Sequence, residues 1–475
     1  MNKFFLCLLL TACSITAFAQ KFSQYNTGTL YESFENPSQA VFKQDTTRTI
    51  AFNFFVPNVN TFVYLKGNAQ TTLKSRLFLS GYDTQNLQIG QTQPNHILAN
   101  ANIYLFMFKF LSNQNGDQEL GASMQIKGNG RGNFTDETFA LFNGSEAFET
   151  DRPYNNIFNS NGYYESYMQL SLTYREKVTK DLSLGFKLSG LMGIAYDRIS
   201  VNESSIQFDP SGNNADWYMR GSYSSSYELG QFNRRLISNA YKNPGAAISI
   251  GANYTAPGNI QIQANLKDFG FIHWSNQFRT YRFGTFGNST LLTGLLTNSR
   301  ESNVFTGLAN LVQEMPEQHA RTLPIEGRAE LAVSRKFAGE KLSYTPTAII
   351  SKNVYHPGAT AALVNHIQFG PMVLTATGAM DNYVTSIGGQ LMYQAPNVEF
   401  YIGSEQLTQT GNLYRSNNGN AAAVEKNMPY SGGSIFVGFS VKFGKRFERW
   451  RNSSYTPTGG GSGPLGRLWT KMFAN

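Results

Sequence analysis

Cysteine is nearly missing from this chain. Its two copies, Cys7 and Cys13, both fall in the N-terminal stretch Met1 to Ala19. Loss of that stretch would leave no thiol, which excludes disulfides, zinc–thiolate centres and cysteine nucleophiles from the remainder. Histidine is scarce too. His96, His273, His319, His356 and His366 are the whole set, with no His-Glu-x-x-His and no close pair. The sequence therefore supports no metal site, and no cofactor is expected. It contains no Gly-x-Ser-x-Gly, and Gly444-Lys445-Arg446 is no phosphate loop, because Phe439 and Arg446 stand at positions that need Gly and Ser or Thr. Long apolar runs are also absent. After the N-terminus the longest, Ile103 to Leu111, is interrupted by Lys109, well short of the ~18 residues that a spanning helix needs. Charged residues make up 15% of the chain, and the net charge of +8 is mostly spread along it, so nucleic acid is not an expected partner.

What the chain has in quantity is aromatic residues and glycine: 36 Phe, 25 Tyr and 44 Gly against only 4 Trp. With frequent Thr, Ser, Asn and Gln, this is a β composition. At the start, Met1-Asn2-Lys3 supplies a positive charge, Phe4 to Leu10 an apolar segment, and Ala17-Phe18-Ala19 a small-x-small cleavage site. These are the parts of an export signal, with cleavage after Ala19. Leu10-Thr11-Ala12-Cys13 also resembles a lipobox, the competing processing route.

From Tyr163 onward the chain alternates. Met168, Leu170, Leu172 and Tyr174 share one face, with Gln169, Ser171 and Thr173 on the other. A short turn leads to Leu182, Leu184, Phe186, Leu188, Gly190, Met192 and Ile194 at every second position. The next pair turns at Ala256-Pro257-Gly258-Asn259, after which Ile260, Ile262, Ala264 and Leu266 oppose Gln261, Gln263, Asn265 and Lys267. These are hairpins of period-2 strands. Between them lie long polar connections, Asp197 to Asn243, Asn276 to Leu323 and Gln406 to Gly432. Short turns at one end and long loops at the other mark a transmembrane antiparallel β-barrel of the outer-membrane type. A soluble β-sandwich also alternates, but its strands average ~5–6 residues, and the runs here are longer. Eleven candidate strands follow Tyr163. Thr49 to Pro57 (with a possible extension over Val59 to Leu65), Ile97 to Leu111 and Glu119 to Lys127 precede it. The total is about fourteen, an even number, as single-chain barrels require. Gly128-Asn129-Gly130-Arg131-Gly132 reads as a turn.

The last alternating run is Ile435, Val437, Phe439, Val441 and Phe443, assigned to lipid, with Phe436, Gly438, Ser440 and Lys442 facing inward. Gly438, Val441 and Phe443 also resemble the C-terminal signal read by the barrel-insertion machinery, with Phe436 departing from the polar first position. Beyond Gly444 the chain is basic and Gly-rich, which reads as a flexible periplasmic extension. A sharper reading has it touch an anionic partner such as peptidoglycan or lipid headgroups.

One local match suggests chemistry. His273-Trp274-Ser275-Asn276 resembles the His-x-Ser-Asn of outer-membrane lipid hydrolases, with His273 as base and Ser275 as nucleophile. Continuing the register from Ile260 turns both toward the lumen, away from lipid, and makes Trp274 an aromatic-girdle residue. On that facing, with no acid partner, the chain is not read as an enzyme.

Four segments, Leu30 to Gln39, Tyr154 to Asn159, Lys242 to Ala246 and Asn265 to Phe271, together resemble a Bacteroidota outer-membrane family known only as a domain of unknown function. The resemblance spans nearly the whole mature chain. It implies an outer-membrane β-barrel and carries over no catalytic residue. In plan the chain is more distantly similar to FadL-type transporters and to the PorV barrel of type IX secretion. The expected organisation is a signal peptide over 1–19, a plug-like segment over 20–47, the barrel over 48–444 and the basic tail over 445–475. Two functions follow from this plan. In the first the barrel transports small compounds, apolar ones included, past the plug, in contact with Tyr31, Phe34 and Phe42. In the second it is a sealed scaffold, and the aromatic loop Trp217 to Tyr227 or the basic tail docks a secretion or envelope partner.

Overall fold

The computed structural model describes residues 22–42, 48–111, 117–228, 232–284, 289–312, 315–339, 341–355, 358–444 and 463–473. The expected signal peptide, Cys7, Cys13 and most of the basic tail lie outside the described residues.

Period-2 patterning dictates the architecture, because successive side chains of a strand point to opposite faces. The barrel strands are β1 (Ile50–Phe52 and Asn58–Lys66), β2 (Pro94–Leu111), β3 (Gln118–Thr135), β4 (Asn161–Lys177) and β5 (Leu182–Phe208). They continue as β6 (Pro244–Ala256), β7 (Ile260–Trp274), β8 (Arg328–Arg335), β9 (Leu342–Asn353) and β10 (Ala359–Phe369). The last four are β11 (Met372–Met380), β12 (Thr385–Gln394), β13 (Val398–Ser404) and β14 (Ser431–Phe443). Each pairs antiparallel with its chain neighbours, and β14 returns to β1 through Ile50↔Phe443 and Val63↔Gly433. The result is a closed 14-strand barrel without a free edge. One end carries only short connections, from Lys177 to Leu182, Ala256 to Ile260, Phe369 to Met372 and Gln394 to Val398 among others. The opposite end carries the long ones, although Asn353 to Ala359 and Met380 to Thr385 are short there too.

Burial is inverted relative to a soluble protein. Leu172, Leu188, Ile350, Leu374, Ile387 and Ile435 point outward and are exposed, whereas Gln169, Lys187, Gln263, Gln390 and Lys442 point inward and are buried. Such a surface is stable only where the outer solvent is hydrocarbon. Phe436, Gly438, Ser440 and Lys442 face inward as the sequence implies.

Three local expectations fail. The Gly128 to Gly132 run is not a turn but part of β3, which continues to Thr135. There the missing side chain of Gly132 makes room for the ring of Phe134. The long connection after β5 is not loop throughout. β5 extends past the barrel to Phe208 and returns as a strand over Asn214–Ser225. Third, β7 carries a bulge between Leu266 and Phe269. Asp268 sits at φ 50°, and its N–H donates to Ser249 Oγ at 2.9 Å. One extra residue flips everything beyond it to the other face. Ile272 and Trp274 therefore point into the lumen and are buried, and His273 is exposed on the outside. Trp274 is thus no girdle residue.

The long connections hold their own core. Helices α2 (Gln70–Phe78), α3 (Asp136–Leu141) and α4 (Arg300–Leu311) cover the long-loop end with the Asn214–Ser225 strand. Phe139, Phe158, Phe208, Trp217, Leu292 and Val304 meet there in one buried cluster. Helices α5 (Leu407–Asn417) and α6 (Ala421–Glu425) follow β13.

Candidate functional site

The inward faces of the strands converge on residues 22–42. A short helix, α1 (Leu30–Glu35), lies at the centre of this segment. Its start is written in the sequence: Thr29 Oγ1 accepts from Glu32 N at 3.2 Å, and the Glu32 carboxylate reaches back to Gly28 N at 2.6 Å and Asn26 N at 2.5 Å. This is a capping box displaced by one turn of backbone.

About half of the segment's attachments to the wall are made through its main chain, and many of these come from charged wall residues. Three carboxylates accept its N–H groups: Glu399 takes Leu30 N at 2.6 Å, Glu405 takes Ser23 N at 3.0 Å, and Glu119 takes Val41 N at 3.3 Å. Three cations donate to its carbonyls. Lys109 Nζ reaches Ser33 O at 3.1 Å, Arg175 Nε reaches Ser38 O at 3.0 Å, and Lys442 Nζ reaches Val41 O at 2.9 Å. Wall cation and wall carboxylate also pair, with Lys442–Glu399 at 3.0 Å and Lys109–Glu119 at 3.5 Å. Arg175 also pairs with Glu119, at 3.8 Å, so Lys109, Arg175, Lys442, Glu119 and Glu399 are each neutralised by a partner and hydrogen-bonded to a backbone dipole, the two conditions for burying a charge cheaply.

Side chains along the segment supply the others, from Ser23, Gln24, Tyr25, Asn26 and Asn36 as well as from α1. Glu35 accepts from Tyr104 OH at 2.7 Å and Asn102 Nδ2 at 2.9 Å. Burial raises the Glu35 pKa, but the charges of Lys127, Lys187 and Lys267 outweigh it and hold the group at about 2. Tyr31, Phe34 and Phe42 all belong to one buried luminal cluster with Leu30, Tyr104, Met107, Tyr401 and Phe436. Tyr31 meets Tyr104 edge-on at 5.4 Å, and Lys109 Nζ lies 5.5 Å from the Phe34 ring.

This cluster backs onto a break in the wall. Between the two parts of β1, Phe54 and Phe55 adopt φ 50° and 57°, a left-handed conformation that is strained for bulky residues. Asn53 replaces the missing ladder. It donates N–H to Met107 O at 3.2 Å, accepts Met107 N at 2.9 Å, and ties Val56 O at 3.0 Å through Nδ2. Outside the break Phe52, Phe54, Phe55 and Phe106 stack within 4.8 to 5.5 Å. Next to it lies a lipid-facing groove of about 500 Å³ lined by Phe55, Phe106, Met124, Leu170 and Leu188. Inside, Tyr104 and Met107 of the same stretch of β2 belong to the luminal cluster.

The remaining candidates are placed as follows. Gly438 is bare because the Tyr401 ring crosses it, while Val441 and Phe443 sit at the outer face of the last strand. Trp217, the first residue of the expected aromatic loop, is fully buried in the cap against Phe158 and so is not itself exposed to a partner. His273 faces outward, contrary to expectation. Its Nδ1 contacts Thr322 Oγ1 at 2.9 Å, a hydroxyl where a hydrolase would place an acid. Among the described residues no group of three His, Cys, Asp or Glu side chains could hold a metal. The clamp residues Lys109, Glu119, Arg175, Glu399 and Lys442 were not singled out from sequence. Their signal is a charge at an inward position of a strand.

Residues 47–405 match a family described as a family of unknown function (DUF5723). The chain belongs to this family. No curated protein matches it. Among solved structures it is similar to the Pseudomonas putida toluene transporter TodX, at 8% identity over 89% of this chain and 95% of that one, with a TM-score of 0.42. It is also similar to a Pseudomonas aeruginosa FadL homologue, at 10% identity over 90% and 98%, TM-score 0.43. A third likeness is to the translocator domain of the autotransporter NalP from Neisseria meningitidis, at 7% over 85% and 91%, TM-score 0.34. Likenesses this remote bear on neither activity nor substrate, so the function of this family member is argued from its own residues.

Proposed function

We propose that this family member is an outer-membrane transporter for small apolar compounds, with residues 22–42 as its plug. The carrying observation is the aromatic cluster of Tyr31, Phe34 and Phe42 set directly behind the strained break at 53–57. Apolar side chains line both surfaces of that break, which is bridged by Asn53 on the β2 side and by Asn58 on the β14 side, where Asn58 Oδ1 accepts from Phe439 N at 3.0 Å. An apolar solute released from the cluster therefore has a path to hydrocarbon that crosses few polar groups. The plug is hydrogen-bonded by side chains rather than by strand pairing, so it can leave without opening the wall. In this reading the short turns face the periplasm, and Gly438, Val441 and Phe443 serve the insertion machinery.

Reconstituted uptake of a small apolar fluorophore tests this. Deletion of residues 21–44 is expected to raise both uptake and planar-bilayer conductance. A barrel that stays closed to both, before and after deletion, ends the transport reading.

The apolar cap favours a second reading, a scaffold for a secretion or envelope partner. Its buried cluster runs from Ala69 to Leu311 and is larger than a simple lid requires. Co-purification of a partner that is lost when the connection from Phe208 to Pro244 is shortened would support it.

A further inference from the structure

The described part of the tail is a helix, α7 (Pro464–Phe473), and not a flexible extension throughout. Its first turn is fixed on the outside of the barrel. Leu465 N and Gly466 N each donate to the Glu176 carboxylate at 3.0 Å. Tyr174 OH donates to the same carboxylate at 2.7 Å, and a side chain on Gly463 would collide with Tyr174, Glu176 and Gln118. Tyr174 and Glu176 continue the outward face of β4 that begins with the exposed Leu170 and Leu172. Lys177 ends β4, so the anchoring point lies about 10 Å or less from the short-turn rim. That is the depth of the headgroup layer around a barrel whose wall faces hydrocarbon.

The helix is built for that layer. Leu465, Leu468 and Trp469 are spaced i, i+3, i+4 along one side, and Arg467 and Lys471 are spaced i, i+4 along another. Leu468 is 52% exposed, and Arg467 and Lys471 are exposed as well. A ten-residue helix is about 15 Å long, too short to span and suited to lying in the interface. An outward-facing carboxylate at this depth would repel acidic lipid. Here the helix N–H groups take up its charge, leaving two cations to face the headgroups.

We propose that α7 is an interfacial anchor that binds anionic phospholipid headgroups of the leaflet at the short-turn end. Leu468 and Trp469 dip into the acyl boundary while Arg467 and Lys471 meet phosphates. The occupant is lipid rather than protein because the first turn of the helix sits on the lipid-facing side of β4, and its charge complements an acidic bilayer. The proposal is independent of whether the lumen transports anything.

The test uses the full chain in vesicles containing phosphatidylglycerol, with Trp450→Phe to simplify the emission. Trp217 and Trp274 are each 1% exposed, so Trp469 is the reporter. Phospholipids brominated near the headgroup should quench it more strongly than those brominated near the chain end. The added substitution Trp469→Phe should remove that difference. Arg467→Ala with Lys471→Ala should weaken the preference for acidic over zwitterionic vesicles about tenfold, and Glu176→Gln should reduce quenching without unfolding the barrel. Quenching that persists in Trp469→Phe, or an emission indifferent to bromine depth, would overturn the anchor. Equal quenching in acidic and zwitterionic vesicles would overturn the headgroup contact.

Discussion

The two fillings of this barrel obey opposite rules. At the long-loop end Phe139, Phe158, Trp217, Leu292 and Val304 form an ordinary apolar core, held by removal of hydrocarbon surface from water. In the lumen, the backbone of residues 22–42 is gripped by Lys109, Arg175, Lys442, Glu119, Glu399 and Glu405. An apolar core tolerates changes of side chain and is indifferent to charge. A charged clamp reads the main chain and fails when one partner of a pair is lost. In the transport reading one part stays, and the other is held and released.

Deletion of residues 21–44 should break this comparison most openly. The strands close on themselves without the segment, so the barrel should keep its heat-modifiable migration on gels while conductance rises from closed to continuously open. Collapse of the barrel would show that the segment is core rather than cargo. Two point changes sharpen the contrast. Lys442→Met leaves Glu399 buried and without its cation, which should weaken segment seating by about 3–5 kcal/mol and appear as brief openings in single-channel records. Trp217→Ala should loosen the cap by a similar ~3–5 kcal/mol, seen as faster proteolysis of the long loops, with conductance unchanged. If either substitution moves both readouts, the two regions are one cooperative unit. A smaller effect is expected at Gly185, where an added Cβ would lie 2.1 Å from Pro37 O. Gly185→Ala should displace the segment locally at ~1–3 kcal/mol, detected as greater protease access to residues 22–42 with the cap untouched.

The strand count was readable because alternation over ten or more residues is a strong signal, and Lys442 already marked the inner face. The facing of His273 was not. A bulge adds one residue that no periodicity announces, although a trace remains in Lys267-Asp268, two adjacent polar residues that are both buried. Helix α1 also has a local signature, Thr29-x-x-Glu32. The cap could not be foreseen. Its apolar residues come from four separate connections and follow no common period, so only the fold brings Leu87, Phe139, Trp217 and Val304 together. The luminal clamp lies between these cases: inward charges are visible in sequence, but which of them meet a backbone group is a tertiary fact.

The least disruptive way to probe the clamp is acid. Glu35 is held near 2 against an ordinary value of 4.5: burial pushes it up, and Lys127, Lys187 and Lys267 together push it further down, with Asp268 opposing them. A carboxyl depressed in the folded state stabilises that state at any pH above 4.5, and the contribution disappears as pH falls through 4.5 toward 2. Seating of the segment should therefore be flat from neutral pH to about 5 and weaken below it. Glu119, Glu399 and Glu405 also face the segment, so acid acts on more than one group. The comparison that isolates Glu35 is with Glu35→Gln, which keeps the acceptor for Tyr104 and Asn102 but cannot titrate. Conductance of the variant should be somewhat higher at neutral pH, and its dependence between pH 5 and 2 shallower. Identical profiles would mean that the lysines are satisfied by Asp268 and Glu330 alone, and that Glu35 is a passenger in the lumen.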